Sequence, residues 1–336
     1  MIVRSSSTAE VKPASTEVWR RQVPDAHAGE PARVAILMCT YNGASFLREQ
    51  LESFACQTYA HWTLYVSDDG STDQTRSIIE EYQARWGTHR LVGFDGPREG
   101  FGKNFISLLK RPEVNADFYA FSDQDDVWFN DKLERGLDYL MTRPATTPSL
   151  YCSRSQLVDG SRHALGFSPL FARTPSFQNA LVQSLAGANT MMINHAARDL
   201  LVQLPHDADI VAHDWLAYLL VTGSGGEVRY DARPSLEYRQ HECNVIGANN
   251  RFKDRVKRLR KMLSGRFMHW NDANVRLLNA MSSRLTAENR AVLAHFEKGR
   301  RSGIVTRCRE LHKSGVYRQT RLGNVTLIIA ALLAKI

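Results

Sequence analysis

Four apolar runs in the first half of the chain each empty into a short polar segment, and each is followed by a pattern of helical period. This alternation limits the possible folds more than any other feature. Residues 34–39 run without a polar break into Thr40, Tyr41, Asn42 and Gly43, as a strand buried on both faces does. Leu47, Leu51 and Phe54 then recur at i, i+4 and i+7, which predicts a helix over 45–55 with Ser45 as its cap. Residues 62–66 form a second run, ending at Asp68, Asp69, Gly70, Ser71, Thr72 and Asp73, with Ile78, Ile79, Tyr82 and Trp86 marking the next helix. A third strand is expected over 91–94, a helix over 104–109, and a fourth strand over 117–121 leading to Asp123, Gln124, Asp125 and Asp126. Leu133, Leu137 and Leu140 mark the helix after it. Strand and helix alternating with short connections predict an α/β fold, a mostly parallel sheet flanked by helices that binds ligands at the carboxyl ends of its strands.

Beyond Leu150 the alternation loosens. A strand is expected over 150–153, helices over 195–204 and 209–221, and short strands over 228–230 and 235–238. Three segments follow from this reading: a flexible leader over 1–32, an α/β domain over 33–250, and a helical, basic region over 251–336 with a short apolar tail. The leader is rich in Ser, Thr, Pro and Ala without an apolar core, which argues against a secretory signal. Five cysteines with no C-x-x-C spacing suggest neither a disulfide framework nor a zinc site, and fit a reducing cytoplasm. The net charge is +8, and residues 251–261 form the densest basic block. Such a block suits anionic lipid, diphosphate or nucleic acid, or is a solvated helix face. The apolar run over 325–334 is too short to span a bilayer; it either lies in the interface or packs on the domain.

Chemistry concentrates where the strands end. Asp123, Asp125 and Asp126 place three carboxylates within four residues. At about 5 Å and an effective dielectric near 20, two such charges repel by roughly 3 kcal/mol, which a bound divalent cation turns into attraction. Oxygen-only ligands favour magnesium or manganese, and magnesium usually shares its shell with phosphates. The segment from Asp68 to Asp73 also reads as a turn and a capped helix, yet a carboxylate at a strand end can accept the ring N–H of a uracil or thymine base. Asp214 fits the first turn of a helix, where the dipole favours acid, and His241 fits an ordinary loop position.

Together, Thr40-Tyr41-Asn42, the Asp68–Asp73 segment, the run from Ser122 to Trp128, His213-Asp214-Trp215 and Tyr238-Arg239-Gln240-His241 resemble a family-2 glycosyltransferase of the GT-A fold. Within that family the last three motifs look most like the rhamnosyltransferase branch that builds bacterial surface polysaccharides. The resemblance implies that Asp69 meets the base, with Tyr41 close to it and Thr40 and Asn42 shaping the pocket. Lys103, Asn104, Asp123 and Gln124 would contact the rest of the nucleotide-sugar. It implies that Asp125 or Asp126 ligates the metal, with His241 reaching the diphosphate or the ion, helped by Arg239. Asp214 would be the general base, with Trp128, Gly187, Asn189 and Trp215 on the acceptor side. Relatives more often carry Glu where this chain has His213.

The implied reaction is inverting transfer of a sugar from a nucleoside diphosphate, dTDP-β-L-rhamnose or a UDP-sugar, to a glycan or polyprenyl-diphosphate-linked acceptor. The cofactor would be Mg2+ or Mn2+, and the enzyme cytoplasmic, with peripheral contact to the inner membrane face. Two other readings compete. Asp123-Gln124-Asp125-Asp126-Val127 fits the nucleophile motif of haloacid-dehalogenase-like phosphatases, but three strands precede it and no downstream Lys-plus-acid set follows. A non-enzymatic module binding nucleic acid or membrane through residues 251–261 leaves the carboxylates without a use.

Overall fold

The computed structural model describes residues 30–205, 207–241 and 266–336. Most of the expected leader, the 251–261 block and the expected boundary at residue 250 lie outside the described residues. The described residues from Pro31 onward cluster as a single compact unit.

The alternation read from the sequence is present: β1 (Val34–Thr40), α1 (Ala44–Ala55), β2 (Trp62–Asp68), α2 (Thr75–Trp86), β3 (Leu91–Asp95), α3 (Phe101–Leu109) and β4 (Phe118–Ser122). These four strands are parallel, in the order β3-β2-β1-β4. Every residue of β1 except Cys39 is buried, as a strand covered on both faces requires. Its side chains alternate between two cores. Ala35 and Leu37 face α3, while Val34, Ile36 and Met38 pack with Leu47 and Leu51 of α1 and Ile78 of α2.

Ser45 does not cap α1. The helix starts one residue earlier, and its leading N–H groups are satisfied from across the sheet: Thr75 Oγ1 accepts from Gly43 N and Asp73 Oδ2 from Ala44 N. The Ser-Thr-Asp end of β2 thus serves the neighbouring helix as well as its own.

The second half extends the sheet in mixed sense. It comprises β5 (Val127–Trp128), α4 (Lys132–Leu140), β6 (Ser149–Val158), β7 (Ala164–Phe167), α5 (Phe177–Ala180), β8 (Met192–Asn194), α6 (His195–Val202), α7 (His213–Gly223) and β9 (Glu227–Arg239). β8 is antiparallel to β4 and to β6, whereas β9 runs parallel to β6 and antiparallel to β5. The two short strands expected near Tyr230 and Tyr238 are one strand, β9, whose register against β6 shifts between Ser153 and Gln156. α7 begins at His213 rather than at Asp209 and is buried from Trp215 to Gly223, so it is a core helix.

Among the described residues, the helices α8 (Arg266–Ala280), α9 (Ala287–Arg301), α10 (Ile304–Ser314) and α11 (Arg321–Leu332) follow. Leu278, Leu293, Phe296, Leu311 and Leu327 join the core that also holds Leu216 and Leu219 of α7. No helix among the described residues is long and apolar enough to cross a membrane.

Candidate active site

The carboxyl ends of β1, β2 and β4 open onto a cavity of about 920 Å3, closed on the far side by residues 184–190 and by the start of α7. Asp69, Asp123, Asp125, Asp214 and His241 all line it, as do Thr40, Tyr41, Asn42, Asn104, Gln124, Gly187 and Asn189.

The two acids that end β2 have separate tasks. Asp68 points inward and is spent on structure: it accepts from Thr40 Oγ1 (3.0 Å), Ser71 N (2.9 Å), Ser71 Oγ (2.5 Å) and Arg76 Nε (2.9 Å). Those donors hold its carboxyl below the usual range even though burial pushes the other way. Asp69, on the alternate side of the backbone, faces the cavity and is fixed by Arg98 N (2.6 Å) and Gly100 N (3.1 Å). Gly100 has φ +88°, a conformation open chiefly to glycine.

The β1 loop is clamped by the acidic loop. Gln124 accepts from Tyr41 N (2.9 Å) and donates to Tyr41 O (3.0 Å), while a Cβ on Gly43 would lie 2.1 Å from Gln124 Oε1. Any larger residue there would push the Gln124 amide out of this clamp.

One oxygen from each of Asp123, Asp125 and Asp126 falls within 4.8 Å of the others. Burial first, then the charges of Asp125 and Asp214, pushes the Asp123 carboxyl up to about 7, with Lys132 opposing. Asp126 is raised too, by burial and then by Asp125 and Asp123. Without a cation these acids do not share the site as three carboxylates. Hard oxygen donors at this spacing fit Mg2+ or Mn2+.

The three are not equivalent. Asp126 is fully buried, and its oxygens are taken by Asn189 Nδ2 (2.6 Å) and Arg239 N (3.3 Å). Asp125 lines the cavity and meets His241 Nε2 at 2.7 Å. His241, expected at the ion or the diphosphate, lines the same cavity; its Nε2 braces Asp125, and its ring is tilted against Phe46 at 5.0 Å. Arg239, expected at the diphosphate, is buried instead, spanning Asp125 O (3.0 Å), Gly160 O (2.7 Å) and Glu49 (2.9 Å).

Asp214 lies in the first turn of α7, held by Trp215 N (2.7 Å) and by Ser184 Oγ at 3.4 Å. Burial pushes its carboxyl up to about 6. His213, beside it, also lines the cavity but is 4% exposed, and among the described residues neither ring nitrogen has a hydrogen-bond partner. Its ring stacks on Phe105 at 4.0 Å with Phe121 edge-on, and burial lowers its pKa to about 3, so it is neutral.

Three expected contacts lie elsewhere. Trp128 packs into the core against Phe54 at 4.7 Å, and Trp215 is buried with Nε1 donating to Ala180 O (2.6 Å), so neither lines the cavity. Lys103 is an exposed residue paired with Glu99, one helical turn away, and does not line the cavity. Asn104 reaches its rim while bonded to Ser67 O (3.1 Å).

Lys132 was not among the expected residues. Its ammonium is buried, donates to Asn189 O and stands over the Trp128 ring at 4.1 Å; burial pulls its pKa down to about 7. It follows Asp123 by nine positions, and a lysine in the first turn of α4 gives no local sign that it turns inward.

Residues 35–201 match the family described as Glycosyl transferase family 2. Over 234 residues the chain is 34% identical to the dTDP-rhamnosyl transferase RfbG of Shigella flexneri, covering 66% of this chain and 78% of that one. It is 31% identical over 108 residues to the Escherichia coli UDP-Glc:alpha-D-GlcNAc-diphosphoundecaprenol beta-1,3-glucosyltransferase WfgD, covering 32% of this chain and 41% of that one. Among solved structures, residues 1–349 of S. aureus TarS in complex with UDP align with a TM-score of 0.52 at 15% identity, over 90% of this chain and 88% of that one. At that identity the likeness speaks to the fold. By its sequence and its GT-A architecture, the chain belongs to the family-2 glycosyltransferases and is a nucleotide-sugar-dependent transferase.

Proposed function

We propose that this enzyme transfers L-rhamnose from dTDP-β-L-rhamnose, with inversion, to a hydroxyl of a glycan or polyprenyl-diphosphate-linked glycan during assembly of a bacterial surface polysaccharide. One observation carries the mechanism: Asp69, Asp123, Asp125 and Asp214 line a single cavity. The likeness to RfbG supports the donor, and the likeness to WfgD supports a lipid-linked acceptor.

In this reading Asp69 accepts the ring N–H of the base beside Tyr41, and Asp123 faces the ribose or the sugar. Asp125, with Asp123 beside it, would hold Mg2+ or Mn2+, which when bound offsets charge on the departing diphosphate. Asp126, Asn189 and Arg239 keep that loop in place. The Asp214 carboxylate takes the proton of the acceptor hydroxyl as its oxygen bonds to the anomeric carbon. On the opposite face the bond to the diphosphate breaks, and its electron pair leaves on the phosphate oxygen. A single displacement converts a β-linked donor into an α-linked product. Ser184 and Trp215 N fix the carboxylate on that trajectory.

The test is dTDP release from dTDP-rhamnose with acceptor and manganese, in the unaltered enzyme and in Asp125→Ala and Asp214→Ala. Both variants should lose about 100-fold or more. Turnover undiminished in both would remove these assignments.

A further inference from the structure

Leu322, Val325, Ile328, Ile329, Leu332 and Leu333 of the last helical segment are between 40% and 60% exposed, and Ile304 and Val305 at the start of α10 are 54% and 80% exposed. The first group recurs at helical spacing along α11, opposite the buried Leu327, Ala330 and Ala331. Arg307 Nη1 donates to Ala331 O (3.2 Å), joining the start of α10 to the end of α11. Large apolar side chains gathered on one exposed helix face mark a contact surface.

Charge says what covers it. From Lys298 to Ile336 the chain carries nine lysines and arginines against a single acid, Glu310. That is a net +8, equal to the net charge of the entire sequence. Arg301, Arg309, Lys313 and Arg321 are exposed, while Glu310 is buried and paired with His295, Lys298 and Lys313. Branched apolar side chains flanked by exposed cations suit the headgroup boundary of an anionic bilayer.

The surface is also wired to the site. Just before α11, Gln319 N donates to Gln183 Oε1 (2.9 Å) and Gln319 Nε2 to Asn179 Oδ1 (3.2 Å), while Asn179 Nδ2 donates to Tyr317 O (2.9 Å). The next residue after Gln183 is Ser184, which holds Asp214 and begins the cavity wall of residues 184–190. We infer that the exposed face of α11, with the start of α10, docks on an anionic membrane surface and brings the Asp214 side of the cavity to a lipid-held acceptor. The acceptor half of this inference rests on the proposed function; the docking half does not.

The full chain should sediment with phosphatidylglycerol/phosphatidylethanolamine vesicles and remain in solution with phosphatidylcholine vesicles, and 0.5 M salt (about 4 Å screening length) should weaken the binding. Val325→Ser/Ile328→Ser/Leu332→Ser should weaken partitioning about tenfold for each side chain removed. Its activity on a water-soluble acceptor should stay unchanged. Ile328→Gln alone serves as the milder variant should the triple one melt early. Vesicle binding equal in variant and unaltered protein overturns the inference. So does sedimentation equilibrium showing a dimer that the triple variant abolishes, since the face would then be a contact between copies. Vesicle binding without any sugar transfer would leave the docking standing and refute the proposed reaction instead.

Discussion

Replacing Asp214 by asparagine separates the cost of this carboxylate from its use. Burial raises its pKa from 3.8 to about 6. The folded protein therefore holds the proton more tightly than the unfolded chain. The stabilising contribution of the protonated form is complete below about pH 3.8 and is lost as pH rises through about 6. At pH 8 the ionised group costs the fold at most about 3 kcal/mol, less where cavity water reaches it. Asp214→Asn keeps the shape and removes the charge, so the metal-free protein at pH 8 should gain up to that amount in urea unfolding. The gain should fade by pH 4.5. Its turnover with acceptor should fall about 100-fold to 10,000-fold. In the unaltered enzyme, log kcat/KM should rise with unit slope up to about pH 6 and then level, a limb absent from the residual activity of the variant. A variant that is no more stable at pH 8 and turns over normally would refute both the burial argument and the role of base.

Other substitutions probe the rest of the cavity. Asp69→Asn should weaken nucleotide binding about 10-fold to 100-fold, since a charged hydrogen bond to the base is lost, while kcat at saturating donor changes little; titration calorimetry with dTDP reads the first and steady-state kinetics the second. Gly43→Ala places a Cβ 2.1 Å from Gln124 Oε1 and should raise the donor KM about threefold to tenfold. Gln124→Ala should absorb that effect, so the double variant should be no worse than Gln124→Ala alone. His213→Phe removes two buried nitrogens that have no partner among the described residues, and should raise stability by about 1–3 kcal/mol in thermal unfolding while lowering kcat/KM. Full activity in that variant would mean that neither nitrogen meets a substrate.

What the sequence disclosed was local. Each apolar run that fills a parallel strand must stop at a polar loop, so the positions of Asp69, Asp123 and Asp125 at the cavity mouth were legible before any coordinates. Which of two adjacent acids faces the cavity depends on the phase of a period-2 strand end; the family resemblance singled out Asp69, and the structure supplies the reason, since Asp68 is spent on Thr40, Ser71 and Arg76. The same ambiguity hid the difference between Asp125 and the sealed Asp126. Tryptophans beside a motif look like ligand contacts, yet Trp128 and Trp215 are held by partners far along the chain. Lys132 turned inward and Arg239 turned into a brace for the same reason: neighbours remote in sequence decide where a long side chain goes. The antiparallel β8 and the irregular register of β9 likewise depend on pairings that no local pattern encodes.

The central claim is that the acids at the mouth of the sheet hold a divalent cation and a nucleoside diphosphate together in one cavity. Isothermal titration of dTDP, dTDP-rhamnose and UDP-sugars with manganese and with chelator tests it most directly. The account predicts that dTDP-rhamnose binds about tenfold or more tightly with the metal, in preference to UDP-sugars, and that Asp125→Ala abolishes the difference. Equal affinity with manganese and with chelator in the unaltered protein would contradict it.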